Sequence, residues 1–139
     1  MIERKIDTFL KEWKEDVNKK PLIVKGARQI GKTFSIMQFA TSSYKYVVNI
    51  NFALQEKFKT IFNDGFDVDA IINNITLLDP NIKIEAGNTL IFFDELQACS
   101  NCATSLKPFA IDGRYDVICS GSLMGINYHE IESNSVGYK

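Results

Sequence analysis

No apolar run in the chain exceeds about four residues, Leu90-Ile91-Phe92-Phe93 being one, whereas roughly 20 are needed to cross a bilayer as a helix. No membrane span is expected. The opening Met1-Ile2-Glu3-Arg4-Lys5 runs straight into charge, with no apolar stretch or small-residue cleavage site, so no secretory signal is read and a cytoplasmic address is the expectation. The three cysteines, Cys99, Cys102 and Cys119, cannot all pair within one chain, and a domain of this size needs no disulfide framework. Reduced thiols follow. Internal repeats and low-complexity tracts are absent, and three prolines with eight glycines place the chain outside the collagen-like and disordered classes.

Charge of one sign is also missing. Sixteen basic residues meet seventeen acidic ones, a formal charge of −1, so no bulk positive field attracts nucleic acid or an anionic membrane. Residues 1–32 carry nine basic and five acidic groups, which makes the amino-terminal part locally positive. Lys11, Lys14, Lys19 and Lys20 are interleaved there with Glu12, Glu15 and Asp16, the usual dress of a surface helix.

What is present is 139 residues, 45 % of them hydrophobic, enough for one domain around one core system. Ile2, Ile6, Phe9, Leu10, Trp13 and Val17 recur at helical spacing over residues 2–17. Leu22-Ile23-Val24, between Pro21 and Gly26, reads as a buried strand, and a helix follows over 32–41. Residues 46–52 read as a second strand, with Asn49 and Asn51 on its polar side. Helical spacing resumes at Leu54, Phe58, Ile61 and Phe62. A further helix starts behind Asp67 as N-cap, with Val68, Ile71, Ile72 and Ile75 apolar, and stops at Asp79-Pro80. Gly87-Asn88 turns into the strand Leu90-Ile91-Phe92-Phe93. Ala103, Leu106, Phe109 and Ala110 mark a helix ended by Asp112-Gly113, then a strand covers 115–119 and a polar Ser120-Gly121-Ser122 follows. No pattern is read from Asn127 onward. Strands alternating with helices predict an α/β fold with a parallel sheet covered on both faces.

Gly26-Ala27-Arg28-Gln29-Ile30-Gly31-Lys32-Thr33 fits G-x-x-x-x-G-K-[ST] and sits between an apolar strand and a helix, where a phosphate-binding loop (Walker A) must sit. Its glycines let successive N–H groups face one concavity, and the helix adds its positive end, so the loop suits an anionic β-phosphate. Lys32 would reach the β- and γ-phosphates, and Thr33 would offer its hydroxyl to Mg²⁺. Phe34 completes the nucleotide-binding set with the eight loop residues. Spacing demands nothing of Arg28, which suits phosphate, a partner or solvent equally.

Asp94-Glu95 follows the most apolar strand (Walker B), at the strand end where open α/β sheets bind ligands. Asp94 is the expected magnesium partner, through water. Glu95 is placed to polarise a water for in-line attack on the γ-phosphate. Ser120 and Ser122, with Asn51, are candidates for sensing the γ-phosphate or its attacking water, although a polar turn explains the serines almost as well.

Cys99-Ser100-Asn101-Cys102 is a C-x-x-C, but distant Cys119 and the lone His129 do not complete a zinc set, and no thioredoxin-like context surrounds it. Ser100 reads as a helix N-cap and His129 as solvated. No N-K-x-D follows the loop to read guanine and no Arg-rich lid segment is visible, which disfavours a GTPase and a small-molecule kinase.

The sequence resembles the AAA-type ATPases of prokaryotes whose ATP-binding domain precedes an uncharacterised C-terminal domain. The resemblance runs from Trp13 to Gly137. It rests on the stretch 20–33, on Asn51-Phe52, on Phe93-Asp94-Glu95-Leu96-Gln97, on Ser105-Leu106-Lys107, on Ser120-Gly121-Ser122 and on Ser135-Val136-Gly137. It implies ATP or ADP with Mg²⁺, and a P-loop sheet in which the strands, numbered along the chain, lie in the order 1-4-3-2 with a fifth outside the first. That fifth strand is not found in the sequence.

The expected layout is an N-terminal amphipathic helix over 1–20, an ATPase core over 21–126 and a tail over 127–139, truncated before the rest of the protein. An uncovered first strand invites self-association, and nucleic acid would bind only through local or missing regions. The leading expectation is Mg-dependent ATP binding and hydrolysis. The alternative is a nucleotide-gated switch with negligible turnover.

Overall fold

The computed structural model describes residues 2–25, 30–121 and 137–138, with side chains over 6–24 and 33–121. Among these, helix α1 (Ile2–Glu15) leads to strand β1 (Leu22–Lys25), helix α2 (Ile30–Ser43) and strand β2 (Tyr46–Asn51). Helix α3 (Val68–Leu78), strand β3 (Thr89–Asp94), helix α4 (Ser100–Asp112), strand β4 (Asp116–Gly121) and strand β5 (Gly137–Tyr138) follow.

All strand pairs are parallel, in the order β2-β3-β4-β1-β5. The expected 1-4-3-2 order holds. A fifth strand, which the sequence reading did not find, is present as two residues: Gly137 pairs with Leu22 and Tyr138 with Ile23. Two residues cannot show an alternating pattern, and only pairing with β1 identifies them as a strand.

Period-two alternation divides each strand between two cores. Ile91 and Phe93 of β3, Ile23 of β1 and Val117 and Cys119 of β4 enter one cluster, with α3 and α4 over them. Leu90, Phe92, Leu22, Val24 and Ile118 enter the other, covered by Leu10 of α1 and by Ile36, Phe39 and Ala40 of α2. The result is three layers, helix on sheet on helix, with the sheet apolar on both faces. Each fully buried Leu, Ile or Phe contributes about 1.5–3 kcal/mol, so the sheet holds the layers together. On the α3–α4 side an aromatic group joins elements across the layer: Phe93 stacks on Phe52 at 5.5 Å and meets Phe109 at 6.1 Å between centroids.

Several boundaries differ from the sequence reading for local reasons. Val17, expected on the apolar face of the first helix, is 92 % exposed. The helix has ended by then, because Asp16 turns the chain by accepting the Asn18 N–H on Oδ1 and the Lys19 N–H on its carbonyl. Leu54, expected on a helical face, is 82 % exposed. It lies in a turn in which Asn51 Oδ1 accepts the N–H groups of Ala53 and Leu54, and the segment behind it, Glu56–Phe62, winds as a 3-10 helix that buries Phe58, Ile61 and Phe62.

Asp67 caps α3 as expected, its Oδ2 accepting the Ala70 N–H at 3.2 Å. At α4 the N-cap is Cys99 and not Ser100, since Cys99 is the residue with extended backbone, and its burial holds the entry of the helix against the core. Gly113 ends α4 at φ +74°, a left-handed conformation that glycine adopts without steric cost. Ser120 and Gly121, expected just beyond the strand 115–119 with a polar turn as one alternative, continue β4 and pair with Val24 and Lys25.

Candidate functional site

The register of the sheet sets the site. Asn51 of β2 pairs with Asp94 of β3, Asp94 with Ser120 of β4, and Ser120 with Val24 of β1. Three residues singled out from the sequence therefore stand in one row across adjacent strands, close to the carboxyl ends of those strands. One step further, Lys25 pairs with Gly121, and the chain leaves β1 toward α2, which starts at Ile30. Gly31, Lys32 and Thr33 fall in the first turn of α2, a turn with no acidic side chain and with backbone N–H groups that lack intrahelical partners. Thr33 is half-buried, Ser35 and Ile36 are buried, and Phe34 is 61 % exposed. Gly26, Ala27, Arg28, Gln29 and Ser122 lie outside the described residues, as do the side chains of Ile30 and Lys32 and the residue His129.

Around the acidic pair the chain is held closely. The Asp94 carbonyl accepts the Phe52 N–H at 3.1 Å, which ties the end of β3 to the chain leaving β2. Asp94 Oδ1 accepts the N–H of Glu95 at 2.9 Å. Glu95 has φ +57° and ψ +52°, the one non-glycine residue at positive φ among the described residues. Such a backbone costs about 1–2 kcal/mol for an L-residue. Packing maintains it: Leu96, fully buried in the α3–α4 core, must fold back under the sheet immediately after the strand. The Ala98 N–H closes the turn on the Glu95 carbonyl at 2.9 Å. The side-chain amide of Gln97 donates to Glu95 Oε1 at 2.6 Å.

Asn51 uses its carbonyl oxygen on Ala53 and Leu54, and its own N–H donates to Gln55 Oε1 at 2.9 Å. Gln55 had no role in the sequence reading, and Gln97 entered it only as part of a resemblance. Both are surface-type glutamines within four residues of their partners, a spacing that any loop offers. Ser120 is 2 % exposed, more enclosed than a turn residue would be.

Both cysteines of the C-x-x-C lie in the core. Cys99, Cys102 and Cys119 are all buried and unoxidised. Burial pushes the Cys99 thiol up, and Cys102 is raised further by burial and by the neighbouring Cys119 thiol, a direction that disfavours the reactive thiolate. Among the described residues no three His, Cys, Asp or Glu side chains gather as a metal cage. Magnesium takes one or two protein oxygens and fills its remaining positions from phosphate and water. The hydroxyl of Thr33 and the carboxylate of Asp94, both half-buried, are donors of that hard-oxygen kind.

A cavity of about 320 Å³ opens at the other end of the sheet, with Trp13, Lys19, Pro21, Gly113, Tyr115 and Asp116 in its wall. In that wall Lys19 lies 3.6 Å from Asp116.

The family model described as AAA domain matches residues 18–139. Among curated proteins no sequence matches. Solved structures share the fold at low identity. The Drosophila ORC structure bound to DNA has a TM-score of 0.59 at 11 % identity, over 99 % of this chain and 90 % of that one. Drosophila ORC bound to GC-rich DNA and Cdc6 gives 0.57 at 11 %, over 99 % of this chain and 55 % of that one. C. elegans PCH-2 gives 0.56 at 14 %, over 99 % and 42 %. The chain thus spans about half the length of the last two. With the matched segment covering most of the sequence and the strand order in agreement, this chain belongs to the AAA domain family.

Proposed function

We propose that this chain binds ATP or ADP with Mg²⁺ at the carboxyl edge of its sheet and hydrolyses ATP. The observation that carries the reading is the row Asn51–Asp94–Ser120, in line with the end of the strand that feeds the G-x-x-x-x-G-K-[ST] loop. Two motifs far apart in sequence that share one edge of one sheet are placed to serve one ligand, and a polyphosphate is what such a loop is shaped to hold.

In this reading the backbone of Gly26, Ala27, Arg28, Gln29, Ile30 and Gly31 cradles the phosphates, Lys32 neutralises them, and Phe34 borders the nucleotide. Thr33 and Asp94 would hold magnesium, which when bound offsets phosphate charge during transfer. Glu95 accepts the proton of the attacking water. Ser120 and Ser122 contact the γ-phosphate or that water. Asn51, whose carbonyl oxygen is committed to its own turn, acts through its amide N–H₂ group.

The resemblance to prokaryotic AAA-type ATPases with a further C-terminal domain supports assigning the core to 21–126, with the helix 1–20 ahead of it and the segment 127–139 behind. Self-association is proposed, but not on the ground of an uncovered first strand, because β5 lies outside β1 and pairs with it at Leu22 and Ile23. Light scattering across a concentration series checks it, and a clean monomer at every concentration counts against it. Nucleic acid, present in the Drosophila ORC structures, would require a local patch on a chain of net charge −1.

The decisive experiment is Glu95→Gln under single-turnover conditions with Mg-ATP. Nucleotide affinity should persist while hydrolysis falls by roughly 100-fold or more. Hydrolysis at the wild-type rate would remove Glu95 from the reaction. Binding without hydrolysis in the wild-type chain itself would favour the nucleotide-gated switch.

A further inference from the structure

The geometry points to Gln97 as a positioning residue that fixes the carboxylate of Glu95 for water activation. This deepens the reading above and rests on Glu95 being the group that takes the proton.

The left-handed backbone at Glu95 fixes the direction of its Cα–Cβ bond, yet the side-chain torsions between that bond and the carboxylate remain to be set. A base that must meet one particular water cannot be left to sample all of them, since a misplacement of about 1 Å costs roughly 100-fold in rate. The 2.6 Å bond from Gln97 Nε2 to Glu95 Oε1 restricts those torsions from outside. Because its acceptor is ionised it belongs to the shorter, stronger class of hydrogen bond.

Gln97 is itself well anchored. It sits in the 3-10 turn Leu96–Ala98, between a fully buried Leu96 and a residue whose N–H closes on the Glu95 carbonyl. The turn is therefore held from the core side by Leu96 and from the backbone by Ala98, and its middle side chain reaches back to Glu95.

The bond also does little for the fold. It spans two residues inside one turn and joins no two elements, unlike the Tyr44–Asp116 bond, which spans 72. What it does constrain is where the Glu95 oxygens are, and the neutral amide adds no charge that would oppose the phosphates.

The test compares wild type, Gln97→Leu, Gln97→Glu and Glu95→Gln in the full chain. The measurements are single-turnover Mg-ATP hydrolysis across pH, nucleotide affinity, and the Gln97 side-chain amide resonances of the nucleotide-free protein. Gln97→Leu should lose 10- to 100-fold in the hydrolysis step while affinity changes less than about twofold. Gln97→Glu keeps size and shape but replaces the donor with a like charge. It should lose more at neutral pH and recover as pH falls, when the carboxyl group introduced there is protonated and can again donate, whereas a merely structural role leaves its pH profile parallel to wild type. The Gln97 amide resonances should move in Glu95→Gln.

Unchanged hydrolysis in Gln97→Leu, or faster hydrolysis, beside an inactive Glu95→Gln overturns the positioning role and leaves Glu95 as the base. A Glu95→Gln that hydrolyses normally, or a wild-type chain without turnover, removes the base and this proposal with it. Amide resonances indifferent to Glu95→Gln remove the contact itself.

Discussion

The two edges of the sheet are built on opposite plans. At the amino edge, polar side chains reach across the sequence: the Tyr44 hydroxyl donates to Asp116 Oδ2 over 72 residues, Lys19 pairs with the same carboxylate, and the Trp13 indole N–H donates to the Lys20 carbonyl at 2.9 Å. Lys14 lies over the Tyr44 ring at 5.0 Å. These contacts tie the ends of α1 and α2 to the start of β4. At the carboxyl edge, Asp94 Oδ1, Glu95 Oε1 and Asn51 Oδ1 accept from donors within three residues of them. Those bonds shape turns above an apolar core that joins the elements. One edge cross-links the layers, and the other presents shaped polar groups in a row.

The sharpest way to break the comparison is Lys32→Ala, since removing the ammonium from the phosphates should abolish detectable nucleotide binding. Wild-type protein at a nucleotide concentration 100 times its Kd should gain about 2.7 kcal/mol of apparent stability. The variant should gain none while unfolding normally without nucleotide. A nucleotide-dependent shift in Tm that survives Lys32→Ala would put the ligand elsewhere.

Asp116→Ala attacks the other edge. It leaves a half-buried Tyr44 hydroxyl and Lys19 without their acceptor, a loss of about 1–3 kcal/mol measurable as a lower urea midpoint, with nucleotide affinity of the folded protein unaltered. Equal damage to affinity would mean that the two edges are coupled.

Glu95→Gly relieves the left-handed backbone at the site and should stabilise the protein by about 1 kcal/mol while hydrolysis is lost. A destabilised variant would show that the side chain contributes more to the fold than its backbone costs.

The smallest effect is in pH. Burial first, and then the bond to Asp116, raise the Tyr44 hydroxyl above its ordinary 10.0. Above that pH the unfolded chain releases this proton and the folded one retains it, so the contribution is complete below about pH 10 and fades as pH rises through the folded-state value. Tyr44→Phe should flatten the alkaline decline in stability relative to wild type.

Most elements of this fold were legible from residues alone because their signals are local. Short continuous apolar runs bounded by turn residues located the strands at Leu22-Ile23-Val24 and Leu90-Ile91-Phe92-Phe93, helical spacing located the helix behind Asp67, and these lie where they were expected. For Ser120 a sensing role and a plain polar turn stood almost level on residue type, and pairing with β1 and β3 removes the turn. Leu54 and Val17 fit a helical period by spacing, but two short side-chain bonds, from Asn51 and Asp16, turn the chain away first. The candidate site was legible as residue types. The backbone conformation of Glu95 and the hold of Gln97 on it were not.

The order of apolar and polar residues determined by itself which segments become strands and helices, and the G-x-x-x-x-G-K-[ST] and Asp-Glu spacing determined which residue types are available for phosphate chemistry. The tertiary structure decided the register that sets Asn51, Asp94 and Ser120 in one row, the two-residue β5, and the left-handed turn at Glu95. The physical reason is range: propensity acts over a few residues, whereas register and strained turns are set by burial of side chains such as Leu96 and Phe93, far apart in sequence from much of what they pack against.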